Sequence, residues 1–443
     1  MSRLLSLTVA ALALIVVAIS PAAAIQIERV VSPGGIEAWL VRESTLPLIS
    51  WHFSFRGGAN EDEEPKSGTA SMAAALLDDG AGELDAKAFQ QRVEENALEL
   101  RFSVTRDHVY GSVRMLRSRQ DASLELLRLA LNQPRFDADA IDRVRAQMLS
   151  GLRRETTNPN SIATRTWWRA AFAGHPYARQ TNGTLESVPT ITAEDLRGYT
   201  RRVFTRAHLK IAVVGDIDAA TLGQALDRLF GALPASGNLT AVPDVRPRDG
   251  GRRIVVQLDV PQSVVQLGGL GIARKDPDFI PAFVVNHVLG GGSFTSRLYN
   301  EVREKRGLAY GVYSYLLPYD HAAMFMVSTQ TAADRTGEAL DVIEAQIARM
   351  ASEGPTEDEL AKAKAYLKGS YALRFDTSSK IAATLLQNQL DELGIDYINR
   401  RNGLIDAVTI DDARRVAKRL GVGGMLTTVV GRPKGLASKE PGG

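Results

Sequence analysis

Arg303 and Tyr310 are polar side chains that flank one turn, the first at the end of a helical segment and the second on a strand-like one. Both side chains can donate hydrogen bonds. Each also has a structural explanation. An arginine in the last turn of a helix faces the negative end of the helix dipole, and a tyrosine on a strand packs its ring and keeps a polar tip. Other reactive groupings are scarce. The six histidines are His52, His108, His175, His208, His287 and His321, and no two are close enough to share a helical turn. A hydrolytic zinc needs three protein ligands and an open position, and no such spacing is present. There is no cysteine, so no disulfide or thiolate site exists. No Ser-His-Asp or Cys-His grouping is visible in the sequence. His52 and His108, in strand-like segments, are expected to face solvent. His175 is expected to fix a loop, His287 to be a hydrogen-bonded core residue and His321 to sit in a turn.

The pair lies in GGGSFTSRLYNEVREKRGLAYGVYSY, residues 290–315. Gly290, Gly291 and Gly292 form a loop that lets backbone approach closely; it could touch a ligand or simply turn between two helices. Ser293, Thr295 or Ser296 can cap the following helix. Leu298 and Val302, four apart, give it one apolar face, and Gly307 suits the left-handed turn that ends it. Leu308, Tyr310 and Val312 then alternate with Ala309, Gly311 and Tyr313, the period of a strand.

The whole chain has 443 residues, too many for one ordinary core. Hydrophobic content of 44% and charged content of 23% are those of a globular protein, and a net charge of +2 without long charge blocks argues against nucleic acid or an anionic membrane as partner. Residues 1–24 read as a signal peptide: Arg3, the apolar run Leu4–Ile19, then Ala22-Ala23-Ala24 as cleavage site. The expectation is a periplasmic protein with no membrane attachment after cleavage.

The remainder repeats itself. Pro47 and Pro261 stand 214 positions apart (261 − 47), and Val213-Val214-Gly215 is answered by Val429-Val430-Gly431 after 216 (429 − 213). This predicts two homologous domains, residues 25–232 and 252–433, joined by a linker over 233–251 and followed by a loose tail over 434–443. Strands mixed with helix pairs imply an α+β fold, each domain a mainly antiparallel sheet packed against helices.

SRLYNEVREKRGLAYGVYS resembles the signature of the pitrilysin/insulinase superfamily of zinc peptidases, whose metal motif is H-x-x-E-H. FSFRGGANEDEEPKSGTASMAAALLDDGAG resembles the strand–loop–helix that carries that motif, and HPYARQTNGTLESV resembles the loop after the long helices. The resemblance covers essentially the mature chain and implies the clamshell architecture of the family. It also puts Ser71, Ala74 and Ala75 where His, Glu and His would stand, and the third ligand in Ser150–Leu152, which has no acid. Glu155, one turn on, is expected at the surface. No metal site is therefore expected in this chain.

What the resemblance implies is a non-catalytic subunit of a heterodimeric zinc peptidase. The partner would carry H-x-x-E-H and the zinc. Arg303 and Tyr310 would bind the peptide backbone and stabilise the tetrahedral intermediate, with Gly290–Gly292 as a further contact. Alone, the chain is not expected to be a peptidase. The alternative is a peptide-binding or scaffold protein on the same fold.

Overall fold

The computed structural model describes residues 25–440 apart from residue 422. The expected signal peptide lies outside the described residues. In chain order, strands β1 (Glu28–Val31), β2 (Glu37–Arg42) and β3 (Leu48–Arg56) are followed by helices α1 (Thr69–Leu76) and α2 (Ala86–Glu95). Strands β4 (Glu99–Val104) and β5 (His108–Leu116) lead to α3 (Gln120–Asn132), α4 (Ala138–Glu155), α5 (Pro159–Ala171) and α6 (Ala193–Val203). Strand β6 (Leu209–Gly215) and α7 (Ala219–Phe230) follow. The later part holds β7 (Arg253–Gln257), β8 (Gln262–Leu270), α8 (Phe279–Asn286), β9 (Ala309–Pro318) and β10 (Ala323–Ala332). It ends with α9 (Thr336–Glu353), α10 (Glu357–Gly369), α11 (Ser378–Leu390), α12 (Tyr397–Asp406), α13 (Ile410–Ala417) and β11 (Leu426–Gly431).

Among the described residues two sheets form, with strand orders β1-β2-β6-β3-β5-β4 and β7-β11-β8-β10-β9. Each is antiparallel except for one parallel pairing, β2 with β6 and β7 with β11. The fold is therefore α+β with two mainly antiparallel sheets. The sequence repeat has a direct cause in local chemistry. Pro47 and Pro261 precede β3 and β8, where a residue without an N–H costs the ladder nothing. Gly215 and Gly431 end β6 and β11 at φ of 148° and 151°. A Cβ on Gly431 would come within 2.6 Å of Ser263 Oγ, and one on Gly215 would strike the backbone of Leu48 and Ile49. Thr192 with Asp195, and Thr409 with Asp412, form capping boxes that open α6 and α13.

Each sheet has one face on its own apolar core. Phe53, Phe55, Leu76 and Phe230 belong to the first, and Val265, Val285, Phe325 and Val429 to the second. The other faces are covered by exchanged helices. Helix α11 lays Ala382, Leu385 and Leu386 on Trp39, Val41, Ala212 and Val214 of the first sheet. Gln389 Nε2 donates there to the Ile211 carbonyl at 2.8 Å. Helix α5 lays Trp167 and Trp168 on Met324, Met326 and Leu426 of the second sheet, and Trp167 Nε1 donates to the Leu426 carbonyl at 3.1 Å. Neither helix is among the elements expected from sequence. Each buries its apolar residues against the other half's sheet rather than completing its own core.

Two histidines expected at the surface are not there. His52 is tucked under α11, with Nε2 2.9 Å from Ser379 Oγ, and burial pushes its pKa down to about 4. His108 is buried beside Asp320, with 3.7 Å between Nε2 and Oδ2, and burial lowers its pKa too. Both strands were read as having a solvated face, but the exchange of α11 and the approach of the β9–β10 turn cover those positions. His175 does fix its loop, accepting from the Tyr177 N–H at 3.1 Å, and His287 is buried with its ring stacked 5.0 Å from that of Tyr366.

A polar pin joins the halves. Asp107 accepts from Asn60 Nδ2 at 2.7 Å, from Tyr177 Oη at 2.9 Å and from the Asp320 N–H at 3.1 Å. Residues 234–249 hold no helix or strand, yet they are tied down: the Val245 N–H donates to His321 and the Arg248 N–H to Ala171. The segment after β11 is likewise paired, Lys439 exchanging backbone hydrogen bonds with Arg253.

Candidate functional site

Arg303 sits in the last turn of a wide π-helical segment, Tyr299–Glu304. Ser296 Oγ caps its start, accepting from the Tyr299 N–H at 3.4 Å. Leu298 and Val302 are fully buried and hold the segment to the second core. Gly307, at φ 60°, ends it, and its N–H donates to the Arg303 carbonyl at 2.8 Å. The chain thus turns at once into β9, and Tyr310 returns over Arg303. The guanidinium carbon lies 4.6 Å from the centre of the Tyr310 ring and 4.9 Å from that of Tyr299. The cation is sandwiched between two aromatic faces, an arrangement worth about 1 kcal/mol. Phe294, 71% exposed, packs edge-on against Tyr299 at 5.1 Å and extends the stack outward.

Tyr310 is 84% exposed. Strict alternation puts it on the face of Val312, which is fully buried. The difference is a β-bulge. Thr329 pairs with Val312 and Thr331 with Ala309, so two steps on β10 span three on β9. The extra residue turns Tyr310 away from the core while Ala309 and Val312 stay in it. Nothing in the one-dimensional pattern marks this bulge except Gly311, a residue that often accompanies one.

The three glycines divide. Gly290 is buried, and a Cβ there would come 2.6 Å from Ser314 Oγ and 2.8 Å from Leu298 Cδ1, so it serves close packing on β9. Gly291 and Gly292 reach the surface beside Phe294.

In the other half, α1 carries Ser71, Ala74 and Ala75. Ser71 Oγ donates to the Thr181 carbonyl at 2.8 Å, Ala74 is buried and Ala75 is exposed. Alanines offer no metal ligand and no base, so these positions do not fit a zinc ion. Glu155 is half-buried rather than on the open surface, lining a cavity of about 300 Å³ with Thr181, Asn182, Asn160 and Thr164. Asn160 and Thr164 also line a second cavity, of about 540 Å³, which ends at Tyr310. The two thus flank the first turns of α5, one beside Thr181 and Asn182 next to Ser71 of α1, the other reaching Tyr310. Sequence reasoning missed Tyr299, Phe294 and the α5 residues. The aromatic spacing in SFTSRLY was the available signal for the first two.

A family model described as the Peptidase M16 inactive domain matches residues 190–367. The chain is 29% identical to "Non-peptidase homolog YmxG" of Helicobacter pylori over 80% of this chain and 85% of that protein. It is 25% identical to an uncharacterized zinc protease of Streptomyces coelicolor, over 88% and 86%. A crystal structure of a peptidase M16 inactive domain from Pseudomonas fluorescens superposes with a TM-score of 0.87 at 27% identity, over 94% of this chain and all of that one. Residues 190–367 thus match a Peptidase M16 inactive domain, and the chain over most of its length is similar to inactive, peptidase-like proteins of that group. It is a non-catalytic, peptidase-like homologue.

Proposed function

We propose that this chain is the non-catalytic subunit of an exported two-chain zinc peptidase. The partner carries H-x-x-E-H and zinc, and this chain contributes Arg303 and Tyr310. The observation that carries the reading is the Tyr310 phenol, turned outward by a bulge and backed by Arg303 at the end of a groove. Such donors gain value when negative charge develops on a carbonyl oxygen as water adds to it. Arg303 donates to the peptide carbonyl and Tyr310 to the developing oxyanion. Gly291 and Gly292 flank the peptide where Phe294 stands. The leader-like residues 1–24 support a periplasmic site of action.

The test is cleavage of a quenched fluorescent peptide by the purified mature chain, alone and mixed with a neighbouring H-x-x-E-H protein, with and without chelator. Chelator-sensitive cleavage is expected only in the mixture. Tyr310→Phe is expected to lower turnover about 100- to 1,000-fold while leaving the complex assembled; full activity with phenylalanine refutes the role. The second reading, a peptide-binding scaffold with no part in proteolysis, is favoured by the name of the Helicobacter pylori relative. A stable complex that cleaves nothing would select it.

A further inference from the structure

The outer face of the second sheet changes character along its strands. On β10 this face reads Met324, Met326, Ser328, Gln330, and on the paired β8 it reads Leu270, Gly268, Gln266, Val264. The apolar end is closed by α5, because a side chain at Gly268 would run into the Trp167 ring. At the polar end α5 presents Asn160 and Thr164, and a cavity of about 540 Å³ stays open between helix and sheet. Tyr313 and Tyr315 continue it along β9 to Tyr310.

No charged side chain lines this cavity among the described residues. A charged group entering it would lose hydration without gaining a counter-ion, and a purely apolar one would strip water from amides and hydroxyls. The polar groups are already ordered. Thr164 Oγ1 donates to Gln266 Oε1 at 3.3 Å, and Gln330 Nε2 donates to Asn160 Oδ1 at 3.0 Å. Gln266 is only 8% exposed, and among the described residues its Nε2 donates to nothing. That leaves a fixed donor level with Tyr313 in the sheet, in the same cavity that reaches Tyr310.

We infer that the cavity is a side-chain subsite for an uncharged, hydrogen-bonding residue, amide- or hydroxyl-bearing, of a peptide held at Arg303 and Tyr310. This rests on the peptide-binding part of the reading above. It makes the chain a source of sequence preference as well as of backbone contacts.

The experiment uses peptides that differ at one position, carrying Gln, Leu, Lys or Glu, scanned along the substrate. Cleavage by the two-chain complex is read as kcat/KM. Binding of the same fluorescein-labelled peptides to the single chain is read by anisotropy. At one position Gln is expected to beat Lys and Glu about tenfold. Gln330→Glu and, separately, Gln262→Glu, both at exposed positions, are expected to shift that preference to Lys and disfavour Glu. If the complex cleaves nothing but the charge variants still reverse the binding preference, the subsite stands and the peptidase reading falls. If the profile in cleavage and in binding is the same for wild type and both variants, the subsite is overturned.

Discussion

His52 and Gln266 occupy equivalent places in the two sheets, 214 positions apart (266 − 52), the interval that also separates Pro47 from Pro261. Each meets a hydroxyl of the exchanged helix above it: His52 meets Ser379 of α11, and Gln266 meets Thr164 of α5. The outcome differs. Over the first sheet the helix is closed down by Leu385, Leu386 and the Gln389 hydrogen bond, and the histidine is held neutral by burial. Over the second, the two tryptophans seat one end of the helix and Ile162 and Ala163 pack the other on Val264 and Val430, yet a groove stays open beside the glutamine. A shared frame thus becomes a closed core face on one side and an open site on the other. The side chains on one alternating face of two strands make the difference.

The seat of α5 is the strongest element of that contrast. Trp167→Ala is expected to cost about 4 kcal/mol, more than Leu385→Ala in α11 at about 3 kcal/mol, in urea unfolding. Equal small losses would mean that α5 is not anchored as described. Next is acid sensitivity. The folded pKa of His52 is depressed, so its contribution is fully present above about pH 6.5 and is lost as pH falls toward 4. Wild type is expected to lose up to about 3 kcal/mol more than His52→Gln over that interval, by urea midpoints at both pH values. Parallel profiles would refute the burial of His52. His52→Gln also installs in the first half the residue found in the second, and is expected to fold.

A smaller effect separates Tyr299 from its neighbours. Tyr299→Leu removes one face of the Arg303 sandwich and is expected to lower kcat/KM of the complex about five- to tenfold. Tyr299→Phe should restore most of it, since the ring and not the hydroxyl faces the guanidinium. Least is expected from the caps of the two exchanged helices. Asn158 Oδ1 accepts from the Ser161 N–H and Thr377 Oγ1 from the Lys380 N–H. Asn158→Ala and Thr377→Ala should each cost about 1 kcal/mol, and a large inequality would break the symmetry claimed for them.

Much of the site was legible in the chain itself. The Ser296 cap, the buried Leu298 and Val302 and the Gly307 stop follow from residues within one turn of each other. The loss of the metal motif is visible as Ser71, Ala74 and Ala75. The orientation of Tyr310 was not legible, because a one-residue bulge inverts every inference drawn from alternation. The role of Gly290 was not either, since its neighbour Ser314 lies on the next strand. His52 and His108 were misjudged for a similar reason: what covers them comes from residues 379 and 320, far along the sequence.

By itself, then, the sequence determined the repeat, the α+β class, the helix ends and the pairing of Arg303 with Tyr310 around a tight turn. These depend on interactions between near neighbours, which the order of residues encodes directly. Only the tertiary structure decided which helix covers which sheet, which face Tyr310 takes and where a groove remains. Those outcomes depend on competition among distant surfaces for the same apolar area, and that competition is settled only when the whole chain has packed.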